Sequence, residues 1–339
     1  MAEPNPVLVD VVRGALVESR HRGALAVVRP TGELVLELGD IRRPVYPRSA
    51  VKAFQAIPLI ETGAADALGF GAAEIALACA SHSGTERHVE LATRMLDRAG
   101  LADNDLECGP QVPLGEAAAV DFHRGRQTAR RAHNNCSGKH SGMLAACRHC
   151  NDPTRGYTAL AHPHQQRILR VLQEFTGEAL GPDVTGIDGC SAPNWAMPLA
   201  SMAKAFAQLA TGEGAARNRR AITERILAAG FAEPELIAGP GRFDTRFMTA
   251  VPGVAFIKTG AEGVYCGALP GLGLGFALKI DDGMGRAAEM ATGALLAATI
   301  KGADSFGKPS TLKNLAGTDV GSIRPADALL HALDRVRLR

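Results

Sequence analysis

Tyr46-Pro47-Arg48-Ser49-Ala50-Val51-Lys52, running on into Ala53-Phe54-Gln55-Ala56-Ile57-Pro58-Leu59-Ile60, is the stretch around which the rest of the chain organises. Pro47 discourages helix before it, and Ser49 suits an N-cap or first-turn position. A helix starting there sets Lys52 one turn after Ser49, on the same face. A hydroxyl and an amine then lie within reach of each other. Serine is a poor nucleophile until a base takes its proton. A lysine serves as that base when burial or a nearby cation lowers its pKa. The start of a helix also favours developing negative charge.

S-x-x-K alone is a weak signal, because many solvated helices begin that way. Two later stretches strengthen it. Ser81-His82-Ser83-Gly84 lies among small apolar residues, and Lys258-Thr259-Gly260 follows the strand-like Val254-Ala255-Phe256-Ile257. Each has a plainer reading, the first as a helix end before a Thr85-capped helix and the second as a hairpin turn. Together, S-x-x-K, a serine-bearing element and K-T-G follow the order found in serine β-lactamases and penicillin-binding proteins.

Composition excludes several classes. A chain of 339 residues makes one large domain or two intimately packed ones. A formal net charge of +2 argues against an electrostatic nucleic-acid binder, and 4% aromatic content leaves little for base stacking. Seven cysteines, an odd number, fit free thiols or metal ligands better than a disulfide framework. The opening Met1-Ala2-Glu3-Pro4-Asn5-Pro6 lacks a basic and apolar leader, and no apolar run approaches a membrane span. A cytoplasmic protein without a membrane partner is expected, which disfavours a role in processing penicillin.

Strand patterns occupy both ends. Val7–Val12, Gly23–Val28 and Glu33–Leu38 come first, the last two flanking the turn Arg29-Pro30-Thr31-Gly32. Val254–Thr259, Gly263–Leu269 and Leu274–Asp281 come late. Helical periodicity fills roughly 71–80, 85–99, 139–149, 157–176, 195–210 and 214–229 between them, with further helices at 285–301 and 326–337. The pattern predicts an α/β (α+β) architecture, one mainly antiparallel sheet built from both ends of the chain and flanked by helices. Residues 1–48 and 240–339 would form the sheet-containing lobe, and 49–239 a mainly helical lobe carrying the S-x-x-K helix. A site between the lobes is the expectation.

The densest polar cluster is Asn134-Asn135-Cys136-Ser137-Gly138-Lys139-His140-Ser141-Gly142-Met143, and Gly186-Ile187-Asp188-Gly189-Cys190-Ser191-Ala192-Pro193-Asn194 is a second. Two thiolates and a nitrogen would suit Zn²⁺, with a fourth position for water or substrate. Spacing alone favours the plainer alternative, that Cys136 and Cys190 are unconnected buried thiols. Cys147-Arg148-His149-Cys150 has metal-like spacing but no second pair to complete a tetrahedral site, and reads as a helix end.

Pro-Arg-Ser-Ala-Val-Lys at 47–52, Cys-Ala-Ser-His-Ser-Gly at 79–84, Asn-Asn-Cys-Ser-Gly-Lys-His at 134–140, Gly-Ile-Asp-Gly-Cys-Ser-Ala-Pro at 186–193 and Ile-Lys-Thr-Gly-Ala-Glu-Gly at 257–263 resemble the Rhizobium etli-type L-asparaginases. The resemblance spans nearly the whole chain. It implies a serine β-lactamase-like fold and hydrolysis of L-asparagine to L-aspartate and ammonia. It implies Ser49 as the acyl-forming nucleophile with Lys52 as its proton acceptor, and Ser81 with Lys258 as a second pair that shuttles protons. It implies zinc held by Cys136, Lys139 and Cys190, and a substrate head group met by Arg48, His140 and Asp188. Asp244 stands where some relatives carry a cysteine. A homodimer is also implied. Other readings are a related Ser–Lys hydrolase acting on glutamine, a D-amino-acid peptide or a β-lactam, and a non-catalytic amino-acid sensor. A methylene's difference in the substrate separates asparagine from glutamine by only about 1–3 kcal/mol of contact.

Overall fold

The computed structural model describes residues 3–335. The chain forms two compact units, one of residues 3–50, 197–211 and 250–335 and the other of residues 51–196 and 212–249. No helix among the described residues is long and apolar enough to cross a membrane.

The first unit is built on an eight-stranded sheet. From neighbour to neighbour it runs Ser310–Lys313, Asp319–Pro325, Val7–Arg13, Leu16–Val28, Leu274–Ile280, Val264–Leu269 and Phe256–Gly260, and Leu34–Leu38 also pairs with Leu16–Val28. Every pairing is antiparallel. Val9 faces Pro325 and Leu25 faces Leu278, so both ends of the sequence meet in one sheet, as its strand pattern predicts. The helices Leu199–Thr211 and Gly285–Thr299 pack on it. At Gly275 the first of these comes so close that an added Cβ would lie 2.2 Å from Ala203 O and Ala207 N. Only glycine lets strand and helix backbones approach this far.

In this sheet three strand features depart from expectation. The second strand starts at Leu16, not Gly23, and Ser310–Lys313 and Asp319–Pro325 are strands that the apolar pattern does not mark. Leu16–Arg22 and Ser310–Lys313 are largely exposed, and the half-buried Asp319–Pro325 is interrupted by Gly321 and Ser322, so none of them shows the apolar alternation that marks a half-buried strand.

The second unit is mainly helical. Ala72–Ala78, Glu86–Arg98, Ser137–His149, Pro163–Thr176 and Arg220–Ala232 are among its helices, and Ser137–His149 packs against three of the others. The helix expected over 157–176 begins only at Pro163. His162 caps it, its ring nitrogen accepting from the His164 amide at 3.1 Å, and Pro163 takes the first helical position, where a missing N–H costs nothing. The last helix covers Asp327–Asp334, and the final residues of its expected span lie outside the described residues.

The S-x-x-K stretch differs in detail from a capped α-helix. Arg48–Val51 forms a 3-10 turn that runs directly into the α-helical turn Lys52–Gln55. Ser49 therefore sits inside the first turn and not at its cap. Arg48 enters it with φ +52°, a left-handed conformation that a residue bearing a Cβ seldom adopts.

Candidate active site

The helix Ser137–His149 is buried from Ser137 through Cys147, although its first turns carry Ser137, Lys139, His140 and Ser141. A buried polar side chain needs a partner. Lys139 finds one in Cys190, its Nζ 2.9 Å from the thiol sulfur. The Cys190 thiol also takes a hydrogen bond from Cys136. Spacing presents these two cysteines as unconnected; the fold joins them in one cluster.

The charges are consistent with a held thiolate. The hydrogen bond from Cys136 and the Lys139 ammonium hold Cys190 well below the usual thiol range against the cost of burial. The same bond, together with burial, pushes Cys136 up to about 12. Burial works against a charge on Lys139, yet Cys190, Cys136 and Asp188 outweigh it and raise its pKa. Opposite charges this deep must be paired to persist.

Lys52 reaches the same cluster. It is fully buried, and its Nζ donates to Ala80 O at 2.6 Å and to Cys136 Sγ at 3.1 Å. Ala80 precedes Ser81, whose Oγ accepts from Asn135 Nδ2 at 3.1 Å. The Ser81 and His82 amides bond to Ile237 O and Asn135 O, which hold this corner in place. The following helix, Glu86–Arg98, is capped at Thr85, with His88 three residues on.

Asp188 lies in a tight turn, its amide donating to Ala192 O and its carbonyl accepting from the Ser191 amide, both at 2.9 Å. Ser191 holds φ +71° in that turn. Cys190 Sγ is 3.8 Å from Asp188 Oδ2. His140 is fully buried and its Nδ1 is 2.7 Å from Tyr157 Oη. Burial, with the Lys139 charge beside it, pushes His140 down to about 3, so the ring is neutral. The second unit thus brings together Lys52, Ser81, Cys136, Lys139, His140, Asp188 and Cys190.

Arg48, Ser49 and Lys258 belong to the first unit. Lys258-Thr259-Gly260 lies on the edge strand Phe256–Gly260, and Lys258 is fully buried with Nζ donating to Thr259 O at 3.0 Å. A solvated hairpin lysine, the plainer reading of this motif, is not what the strand presents. Asp244 is buried in the first turn of the helix Phe243–Ala250. Asn135 and Tyr157 escape sequence reasoning. Asn135 sits within a cluster already conspicuous for its polarity, whereas nothing in the sequence around Tyr157 marks it.

Two sulfurs and an amine converge in the Cys136, Lys139 and Cys190 cluster, a soft donor set that suits zinc once the amine loses its proton. Among the described residues no group of three or more His, Cys, Asp or Glu side chains is placed to hold a metal, so a site here depends on the lysine.

Among known proteins, solved structures give only remote likenesses. Crystal structures of Mglu are distant likenesses. The native form has 13% identity and a TM-score of 0.43, covering 79% of this chain and 61% of that one. The glutamate form has 16% identity and a TM-score of 0.36, with 84% and 63% covered. A β-lactamase from Mycobacterium bovis has 14% identity and a TM-score of 0.25, with 78% and 89% covered. The chain thus spans about three-fifths of the length of the Mglu structures, and likenesses this remote assign neither fold nor activity. No curated protein matches the chain. The family model described as L-asparaginase II matches residues 9–325, from the first strand of the sheet to its last. The chain belongs to the L-asparaginase II family, a family of amidohydrolases.

Proposed function

We propose that this protein hydrolyses L-asparagine to L-aspartate and ammonia through an acyl-enzyme on Ser49. The observation that carries the reading is Lys52, buried three residues after Ser49 in a continuous helical stretch. Its Nζ has two acceptors, Ala80 O and Cys136 Sγ. A neutral amine has two N–H bonds and one lone pair. The two acceptors use the N–H bonds and leave the lone pair for a proton from elsewhere.

Ser49 Oγ attacks the side-chain amide carbon as its proton passes to Lys52. Collapse of the adduct breaks the C–N bond, and the nitrogen takes a proton and leaves as ammonia. Water then cleaves the ester, frees aspartate and restores the serine. We assign the accompanying proton transfers to Ser81 and Lys258, and recognition of the amino-acid head group to Arg48, His140 and Asp188, on the family resemblance. Zinc would be held by Cys136, Lys139 and Cys190, and when bound supplies a fixed positive charge for orienting substrate. A serine β-lactamase-like fold is the finer reading. It is supported by S-x-x-K opening a helix and K-T-G lying on an edge strand.

The test compares ammonia release from asparagine, glutamine and a D-aminoacyl amide with ring opening of a β-lactam, followed by the loss of its ultraviolet absorbance. Asparagine should have the highest kcat/KM. Faster turnover of glutamine would transfer the reading to a glutaminase, and asparagine binding without ammonia release would make the protein a sensor. Sedimentation at micromolar concentration tests the homodimer.

A further inference from the structure

We propose that Tyr157 is a positioning residue: its hydroxyl locks His140 as the Nε2–H tautomer, so that the buried ring offers a donor to an acceptor oxygen of the amino-acid substrate. The inference rests on the reading of His140 as a substrate-binding residue and adds the group that decides what it can bind.

The assignment follows from counting donors and acceptors. Tyr157 is fully buried, and its Oη meets two groups. The Glu107 amide donates to it at 2.8 Å, and His140 Nδ1 lies 2.7 Å away. A backbone N–H can only donate, so the Tyr157 oxygen is already an acceptor there. If Nδ1 also donated, the Tyr157 O–H would have no acceptor and Nε2 would be a buried lone pair without a donor, giving two orphans. If the Tyr157 O–H donates to Nδ1, the phenol is satisfied and one orphan remains, the Nε2–H. Unmade buried hydrogen bonds are the costly ones, so the second arrangement wins.

That remaining orphan points to a ligand. His140 Nε2 is buried and has no hydrogen-bond partner among the described residues. The ring lies in the field of Lys139, Cys136 and Lys52, the cluster described above. A donor left open on that ring suits a carboxylate or amide oxygen and rejects an ammonium group.

The chain holds Tyr157 in place from several sides. The Glu107 carboxylate accepts from the Gly156 amide at 2.6 Å, from Thr158 Oγ1 at 2.7 Å and from the Thr158 amide at 3.3 Å. Gln165 Nε2 donates to the Tyr157 carbonyl at 2.8 Å. The tyrosine and histidine rings meet edge to face at 5.5 Å. One residue, Glu107, therefore fixes the turn with its side chain and orients the phenol with its backbone.

The experiment reads the tautomer first. In protein labelled with ¹⁵N-histidine, the His140 resonances are identified by their loss in His140→Gln. The parent should show the Nε2–H pattern, and Tyr157→Phe should move it toward Nδ1–H. In the same variant KM for asparagine should rise about tenfold while kcat changes less than twofold, the mark of lost uniform binding. Adding Tyr157→Phe to His140→Gln, whose amide has no tautomer to set, should cost nothing more. An Nδ1–H tautomer in the parent would overturn the proposal even if Tyr157→Phe failed to fold. So would a folded Tyr157→Phe with unchanged KM. A parent with the Nε2–H pattern that released no ammonia would support the lock and overturn the asparaginase reading.

Discussion

Lys139 Nζ stands 2.9 Å from Cys190 Sγ across 51 residues of sequence, and Cys136 hydrogen-bonds to the same sulfur. A metal taking this place would displace the protons that now link the three groups. Purified protein should therefore contain zinc, and Cys136→Ser or Cys190→Ser should lower the zinc content measured by elemental analysis. KM should suffer more than kcat if the metal orients substrate. Zinc retained in full by both variants would place the metal elsewhere.

Ser49→Ala removes one hydroxyl from the first helical turn and should leave the fold intact. Turnover should fall on the order of 10³-fold or more, as for other nucleophiles that act as part of a unit. Folding is checked by circular dichroism and activity by ammonia release. A folded variant with near-normal kcat would remove Ser49 from the mechanism.

Gly138 precedes Lys139 where its helix crosses Ala72–Ala78. A methyl group at Gly138 would lie 2.4 Å from both Leu77 Cγ and Leu77 O. The side chain can move, but the carbonyl cannot without disturbing its own helix. Gly138→Ala should lose about 1–3 kcal/mol in urea unfolding, and its activity should fall because the displaced turn carries Lys139. An unchanged midpoint would show that the two helices separate freely there.

Acid should destabilise the protein through buried neutral histidines. Burial pushes His88 down to about 4 and His164 to about 3, against 6.5 for an exposed ring. Below 6.5 the unfolded chain binds protons that the folded chain refuses. The contribution is therefore complete above 6.5 and drains away as pH falls toward 3–4, on the order of 3 kcal/mol for His88 and about 5 kcal/mol for His164. Both His164 ring nitrogens lack a hydrogen-bond partner among the described residues. His164→Leu should then hold or raise stability at pH 7 and lessen the loss at pH 4.5, measured by urea unfolding at both.

The order of strands and helices was legible because their buried faces write apolar periods into the sequence. Val264–Leu269 is buried at every position and stands out, whereas the exposed Ser310–Lys313 does not. The candidate site was legible in a different way. Its polar clusters were conspicuous because Lys139, His140 and Ser141 interrupt a helix that is otherwise apolar and small. Their joining was not readable, since nothing in spacing brings Cys136 to Cys190 or Tyr157 to His140. Those contacts exist only once separate segments fold together, and for the cysteines a family resemblance served where spacing could not.

The pairing of Val9 with Pro325 and of Leu25 with Leu278 has a consequence for synthesis. The hairpin Val7–Val28 emerges from the ribosome first, with both outer edges waiting for strands made much later. At about 5–20 residues per second that wait is on the order of tens of seconds. Residues 51–249, with the whole helical unit among them, leave the ribosome in the meantime. For that interval the nascent chain carries an unfinished sheet with open edges. A truncated transcript or a stalled ribosome would leave those edges ready to pair with another chain.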